Sequence, residues 1–442
     1  MFIEFNVGNY RSFKDRVTFS MVAANIKSRV AAIDNNNVFK TAHDLSLLTS
    51  AAIYGANASG KSNFISAIRF MRQFVLNSSR ETQANDMIDV EGFRLNSEME
   101  GKTSFFEIVF IMDNTRYRYG FEVTSQRVVA EWLYYVPTTR EAKLFDRHLD
   151  TIKSTIAFKE SRGLSSKTRS NALFLSVVAQ FNGEISKAVL RWFKNLNVSL
   201  GLNDMGDRFQ ALHQFENSKF NENIVKFIKK LDLGIDSITL EKSKVNLSPT
   251  DDMPEDLKKI LEVLGNSNAE QTTIQTHHRK FGPNGDPIAF ETFDLDEHES
   301  EGTKKLFALA HPLLSALRNG RVIVIDELDA RLHPLITCEI ISLFNSQETN
   351  PKNAQLIFTT HDTNLLNNRI FRRDQIWFAE KTKQGATHLY SLVEYKIKGG
   401  SAVRNDASFE KDYIEGRYGA IPFIGDFRRL IEEDGNNEPE EE

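Results

Sequence analysis

The sequence predicts an α/β fold: a phosphate-loop core, an antiparallel β insert and an inserted helical lobe. Three observations predict it. A loop rich in small residues, Gly55-Ala56-Asn57-Ala58-Ser59-Gly60-Lys61-Ser62, stands between a short apolar run and a segment of helical periodicity. Stretches 105–112, 117–123 and 132–136 are rich in strand formers and follow it directly. Far downstream, Val322-Ile323-Val324-Ile325 runs into Asp326-Glu327.

The loop reads G-x-x-x-x-G-K-S, a P-loop. Ala51-Ala52-Ile53-Tyr54 before it has the character of a buried strand, and Phe64, Ile65, Ile68, Met71, Phe74 and Val75 after it recur at helical spacing. Consecutive backbone N–H groups must wrap a phosphate, so small residues are needed and Gly55 and Gly60 permit the turn. The helix start, with Ser62 and Asn63, adds its positive dipole end. Lys61 is suited to the β- and γ-phosphates of a nucleotide, and the Ser62 hydroxyl to Mg²⁺.

Composition bounds the rest. A chain of 442 residues exceeds what one core usually organises, so two or three lobes are expected. An apolar fraction of 40% and a charged fraction of 26% fit a soluble globular protein with no membrane contact. Met1-Phe2-Ile3-Glu4-Phe5 lacks the basic-then-apolar pattern of a signal peptide. The single cysteine, Cys338, excludes an intrachain disulfide and a cysteine-based zinc cluster, and the cytoplasm is the expected compartment. A formal charge of −5 gives no global argument for nucleic-acid binding.

Taken in order, residues 2–22 predict two strands as a hairpin around Asn9-Tyr10-Arg11-Ser12-Phe13, and 25–46 an irregular loop. Asp113-Asn114 predicts the turn between the first two strands of the insert. The expected domains are 1–170 (P-loop and β insert), 171–287 (a mainly helical lobe), 288–430 and an acidic tail, 431–442. Helices are expected at 172–196, 221–231 and 255–264, the last started by Pro254. Residues 265–287 read as a loop or edge hairpin, so His277-His278 are more readily solvated than metal-bound. Asp294, Asp296, Glu297 and Glu299 cluster just before Ser300 and belong to the strand and turn there.

Ser300-Glu301-Gly302-Thr303 opens an apolar helix over 304–317 and offers a hydroxyl and free N–H groups to an anion. Four branched apolar residues ending in Asp-Glu form a Walker B pattern, fitting a buried parallel strand whose tip carries ligands. Asp326 is suited to hold Mg²⁺, and Glu327 to orient and deprotonate water. Asp329 follows within Leu328-Asp329-Ala330-Arg331-Leu332-His333-Pro334. A second buried strand, 355–360, places His361 at its tip, where it can meet a γ-phosphate. Stretches 375–379 and 388–393 predict a closing strand pair. The segments Tyr395-Lys396-Ile397-Lys398-Gly399-Gly400 and 412–422 carry no obvious chemistry. Residues 432–442 hold seven acids and no base, and are expected to be disordered.

P-loop, Ser-x-Gly-Thr, Asp-Glu, Asp329 and His361, in that order, resemble the ABC-type P-loop ATPases, in the branch of SMC, RecF, RecN and OLD proteins. The resemblance implies that Ser300, Gly302 and Thr303 act as a signature closing on ATP held by another protomer, with Asp329 near the dyad. A homodimer or higher oligomer is thus implied. Asn9–Phe13, the P-loop, Ile325–Asp329 with Leu332-His333-Pro334, and Gly416-Arg417-Tyr418-Gly419-Ala420-Ile421-Pro422 together resemble the RloA/AbiL-type ATPases of bacterial abortive-infection loci. That family implies a defence role beside a separately encoded effector, a TOPRIM-type nuclease in the related RloB and PARIS arrangements, with a phage protein or nucleic acid as trigger. The stretch after His361 is expected to be too short for a nuclease domain of the OLD kind. A RecF-like DNA-repair ATPase, a nucleotide-gated scaffold with little turnover and a stand-alone nuclease are the rival readings. Gln73, Gln83 and Gln126 leave the Q-loop position of such ATPases unassigned.

Overall fold

The computed structural model describes residues 1–81, 83–201, 212, 215, 221–231, 233–244, 270–396 and 400–422. The expected helix at 255–264 with Pro254, the loop residues Gly265 and Asn266, residues 397–399 and the acidic tail lie outside the described residues. The chain forms two compact units: Phe2–Lys194 with the segment from Ile357 onward, and Asn195–Leu356.

The first unit starts with β1 (Phe2–Gly8) and β2 (Val17–Ser20), the expected antiparallel hairpin. Stretch 25–46 is more ordered than its polarity suggested, holding α1 (Ala31–Asn36), β3 (Val38–Lys40) and the start of β4 (Ser46–Leu48). Then come β5 (Ser50–Tyr54), buried throughout, and α2 (Lys61–Asn77). The insert is β6 (Ser104–Met112), β7 (Thr115–Val123), β8 (Val128–Val136), β9 (Ala142–His148) and β10 (Thr151–Ser154). Asp113 and Asn114 have φ of 47° and 55°, the left-handed pair of a tight hairpin turn.

The N-terminal hairpin and the insert form one antiparallel sheet, ordered β10-β9-β8-β7-β6-β1-β2, with Phe5 opposite Ile108. The apolar stripe of α2 lies on that sheet. Phe64 packs edge-on against Phe5 with ring centres 5.7 Å apart, and Phe74 against Phe121 at 5.4 Å. Each fully buried aromatic ring contributes about 2 kcal/mol by removal from water.

The helix expected over 172–196 is two helices, α3 (Phe174–Gln180) and α4 (Glu184–Asn195). Asn182 at φ 67° and Gly183 break it, and Glu160 accepts the N–H groups of Ile185 and Ser186 at the new start. Both helices dock on the insert. Trp192 stacks on Phe110 at 4.2 Å, and Glu131 of β8, fully buried, accepts from Phe174 N (2.6 Å), Leu175 N (3.0 Å) and Tyr119 OH (3.0 Å). Burial pushes the Glu131 carboxyl above its ordinary range, opposed by Arg147. These contacts hold α3 and α4 in this unit, which runs to Lys194.

The second unit holds β11 (Asn197–Ser199), α5 (Asn221–Lys230), β12 (Ile235–Lys244), β13 (Glu270–Phe281), β14 (Pro287–Asp294), α6 (Leu295–His298), α7 (Glu301–Asn319), β15 (Val322–Ile325) and α8 (Pro334–Phe344). Where a mainly helical lobe was expected, the described residues also include strands. Strands β12, β13 and β14 form an antiparallel sheet that joins 235–281 to the segment beyond the boundary expected at 287. Ile235, Ile238 and Ile274 are covered by Ile224 and Ile228 of α5 and Phe307 and Ala310 of α7. Polar residues on the outer face hid this alternation from a hydropathy reading. β11 and β15 pair in parallel, with Asn197 opposite Ile323.

The chain continues through β16 (Gln355–Thr359), β17 (Ile376–Lys381), β18 (Thr387–Ser391) and α9 (Phe409–Ile414). In the first unit the strand order is β16-β5-β17-β18, with β17 parallel to β5 and β18 antiparallel, the expected closing pair. Among the described residues no helix is long and apolar enough to cross a membrane.

Candidate functional site: a phosphate cradle and a braced acidic turn

The loop between β5 and α2 has the distorted backbone that a phosphate cradle requires. Gly55, Ala58 and Gly60 have φ of 154°, 60° and 107°. A Cβ on Gly55 would lie 2.3 Å from the Ala379 carbonyl, and one on Gly60 2.2 Å from Thr387 Oγ1. Lys61, 5% exposed, donates to the carbonyls of Gly55 (2.8 Å) and Ala56 (3.0 Å). The Ser59 hydroxyl is buried with no hydrogen-bond partner. Bent backbone, a lysine folded onto the loop and an unspent hydroxyl fit an anion of phosphate type. Ser62 is exposed at the start of α2.

Beneath the loop lies a polar buttress that sequence reading missed. Thr387 Oγ1 donates to the Ser59 carbonyl (2.7 Å) and shares a hydrogen bond with Ser12 Oγ (2.8 Å), which accepts from Asn63 Nδ2 (2.8 Å). The only signal was Asn9–Phe13, read as a family mark with no role.

Beside the loop opens a cleft of about 580 Å³, lined by Gly55, Ala56, Asn57 and Ser59, by His361, and by Ala420, Ile421 and Pro422. His361 thus lines the same cleft as the P-loop. The Ala420-Ile421-Pro422 end of the late Gly416–Pro422 segment reaches the same cleft. Tyr390 OH donates to the Tyr418 carbonyl (2.7 Å), Tyr413 OH to the Ala420 carbonyl (3.0 Å), and Ala420 N to Glu380 Oε1 (3.2 Å). Burial pushes the Tyr413 hydroxyl up to about 12.

The other candidate residues lie in the second unit. The buried strand β15 delivers Asp326, 6% exposed, whose N–H donates to the Ser199 carbonyl (3.0 Å). Glu327 follows at φ 50°, a left-handed conformation rare for a residue with a side chain. Ser300 caps α7, its hydroxyl accepting from Thr303 N (3.1 Å), so in this state the hydroxyl expected to meet an anion serves its own helix. Gly302 packs on the turn that carries Asp329: a Cβ there would lie 2.6 Å from the Arg331 carbonyl.

Other candidates resolve plainly. His277 and His278 lie on β13, not in a loop. His277 bonds Thr239 (2.8 Å) and Thr292 (3.1 Å), and His278 meets Glu299 at 2.7 Å. Among the described residues no group of three or more His, Cys, Asp or Glu could hold a metal. Asp294 caps α6. Gln73 is exposed on α2, while Gln83 and Gln126 lie outside the P-loop cleft.

A glycine-bent loop from a buried strand to a helix N-terminus, with its lysine folded inward, defines a P-loop α/β protein. The chain belongs to the family described as "AAA domain, putative AbiEii toxin, Type IV TA system", whose model matches residues 50–367. No curated protein matches it. Among solved structures it is similar to the recombination mediator protein RecF bound to ATP in the RecFOR pathway, at 14% identity and TM-score 0.36, covering 88% of this chain and 99% of that one. It is also similar to the RecF-ATPrS structure, at 15% identity and TM-score 0.32, covering 88% and 98%.

Proposed function

We propose that the chain is a Mg²⁺-dependent ATPase of ABC type, in which ATP closes a homodimer or higher oligomer. The observation that carries this is Glu327: a carboxylate held in a left-handed turn directly after a buried Asp-tipped strand, against a Ser-x-Gly-Thr helix start. Non-glycine residues keep such backbone where surrounding structure enforces it, most often at functional sites.

In this reading the ATP phosphates occupy the loop Gly55–Asn63, and Lys61 exchanges the carbonyls of Gly55 and Ala56 for phosphate oxygens. Glu327 accepts the proton of a water whose oxygen bonds the γ-phosphorus as the bond to the β-phosphate bridging oxygen breaks, and ADP leaves. His361 steadies the γ-phosphate from across the cleft. Ser62 and Asp326 would hold Mg²⁺. One hydroxyl and one carboxylate suit an ion that keeps several waters and takes substrate phosphates, and it would neutralise charge on the β- and γ-oxygens. Ser300, Gly302 and Thr303 of a second copy cover the nucleotide, with Asp329 near the dyad.

At the cellular level we propose a sensor or regulator of anti-phage defence, of RloA/AbiL type, controlling a separately encoded toxic effector, a TOPRIM-type nuclease. A family description that names a toxin and the late Gly-Arg-Tyr-Gly segment support this. A nuclease reading frame beside this one, and its product co-purifying with the chain, are the direct checks.

Replacing Glu327 by Gln tests the chemistry. ATP turnover should fall about 100-fold or more while bound ATP is retained, as for loss of a general base. If the variant matches the parent in both turnover and nucleotide retention, the catalytic reading fails.

A further inference from the structure

The start of α7 is tied to the turn after β15 by contacts that the proposed chemistry leaves without a role. Lys305, 3% exposed, donates from Nζ to the carbonyls of Glu327 (2.7 Å) and Ala330 (2.9 Å). Gly302 is pressed on the Arg331 carbonyl, and Arg331 Nη1 meets Glu301 at 2.6 Å. The turn has left-handed backbone at both ends, with Glu327 at φ 50° and Arg331 at 63°.

A buried ammonium needs acceptors, and these two are backbone oxygens on either side of Asp329. They belong to a segment whose conformation is costly for residues with side chains, so it persists only where neighbours over-determine it. Lys305 supplies two charge-assisted bonds for that purpose, and these are stronger than bonds between neutral groups. Glycine at 302 supplies the close approach that keeps the helix against the turn.

We infer that Lys305 is a positioning residue: it fixes the backbone on which Glu327 and Asp329 stand and makes the signature helix and the acidic turn one mechanical piece. The inference rests on the reading of Glu327 as the general base. It deepens that reading by linking two events. A signature that engages nucleotide on a second copy thereby sets the position of Glu327 in its own chain.

The test uses the full chain with Lys305→Met and Lys305→Arg. Amide hydrogen exchange reads the brace independently of chemistry. In Lys305→Met the amides of Ala330 and Leu332, which donate within the turn to Glu327 and Asp329, should exchange faster while 322–325 stay protected. Steady-state turnover reads the coupling. The kcat of Lys305→Met should fall about 100-fold, the scale of a small misplacement of a reacting group, with KM for ATP within about 3-fold. Lys305→Arg, which keeps donors for both carbonyls, should recover part of kcat. Unchanged exchange in the turn overturns the inference. So does faster exchange spread through β15 and α7 with no recovery by arginine, which marks a general fold defect. If the turn loosens as expected but the parent protein shows no turnover, the brace stands and the ATPase reading fails.

Discussion

Thr387 shows how much of a phosphate loop is set by a residue far from it in sequence. Its hydroxyl meets the Ser59 carbonyl and Ser12 Oγ, and its backbone N–H donates to the Ser12 carbonyl (2.7 Å). The same side chain fills the space a Cβ on Gly60 would need. Thr387→Val keeps the shape and removes the hydroxyl. One buried hydrogen bond contributes about 1 kcal/mol, so ATP affinity should weaken about 5-fold with the fold intact. A nucleotide titration checks this, and unchanged affinity would mean that the loop holds its shape without the buttress. Nothing in the residues around 387 marks the threonine: its role exists only because β18 lies beside the P-loop.

At the level of elements, α7 carries both the Ser-x-Gly-Thr turn and a titrating group. His311, half-buried, is held below its ordinary value of 6.5 by burial and then by Arg321. The native state therefore binds fewer protons at this site than the unfolded chain. The stabilisation is fully present above about pH 6.5 and is lost as pH falls through the lowered native value. The thermal midpoint of the parent protein should drop on acidification more than that of His311→Gln, measured from neutral to mildly acid pH. Equal slopes would remove His311 from the account. The existence of α7 was legible from its cap and apolar run. Its partners were not, because β12 and β13 alternate with polar outer residues and read locally as loop or helix.

On the scale of the whole molecule, the proposed site is incomplete in one copy. Each chain supplies a cradle at Gly55–Asn63 and a signature at Ser300–Thr303, and the second is proposed to serve another chain's nucleotide. Glu327→Gln with ATP and Mg²⁺ should run in light scattering at twice the 50.4 kDa of one chain, and return to the monomer mass when the metal is chelated. A monomer under saturating ATP would exclude closure at the nucleotide site. Chain-level organisation was the least legible feature. The two units divide at 194 and 356, because α3 caps on Glu131 and α4 caps on Glu160 and stacks on the insert, whereas β12 and β13 belong with β14 and α7.

The sequence by itself determined the P-loop and its helix, the Asp326-Glu327 strand, the Asp113-Asn114 turn and the Ser300 helix cap. Each is written in residues within one or two turns of one another: a glycine where φ must be positive, an apolar run of strand length, a serine before a helix. Tertiary structure alone decided that β1 pairs with β6, that Ser12 and Thr387 buttress the loop, that 420–422 wall the cleft beside His361, and that Lys305 clamps the turn of Glu327. Those depend on which strand becomes whose neighbour and which buried donor meets which carbonyl. Such choices are made by packing between distant segments, and no local period encodes them.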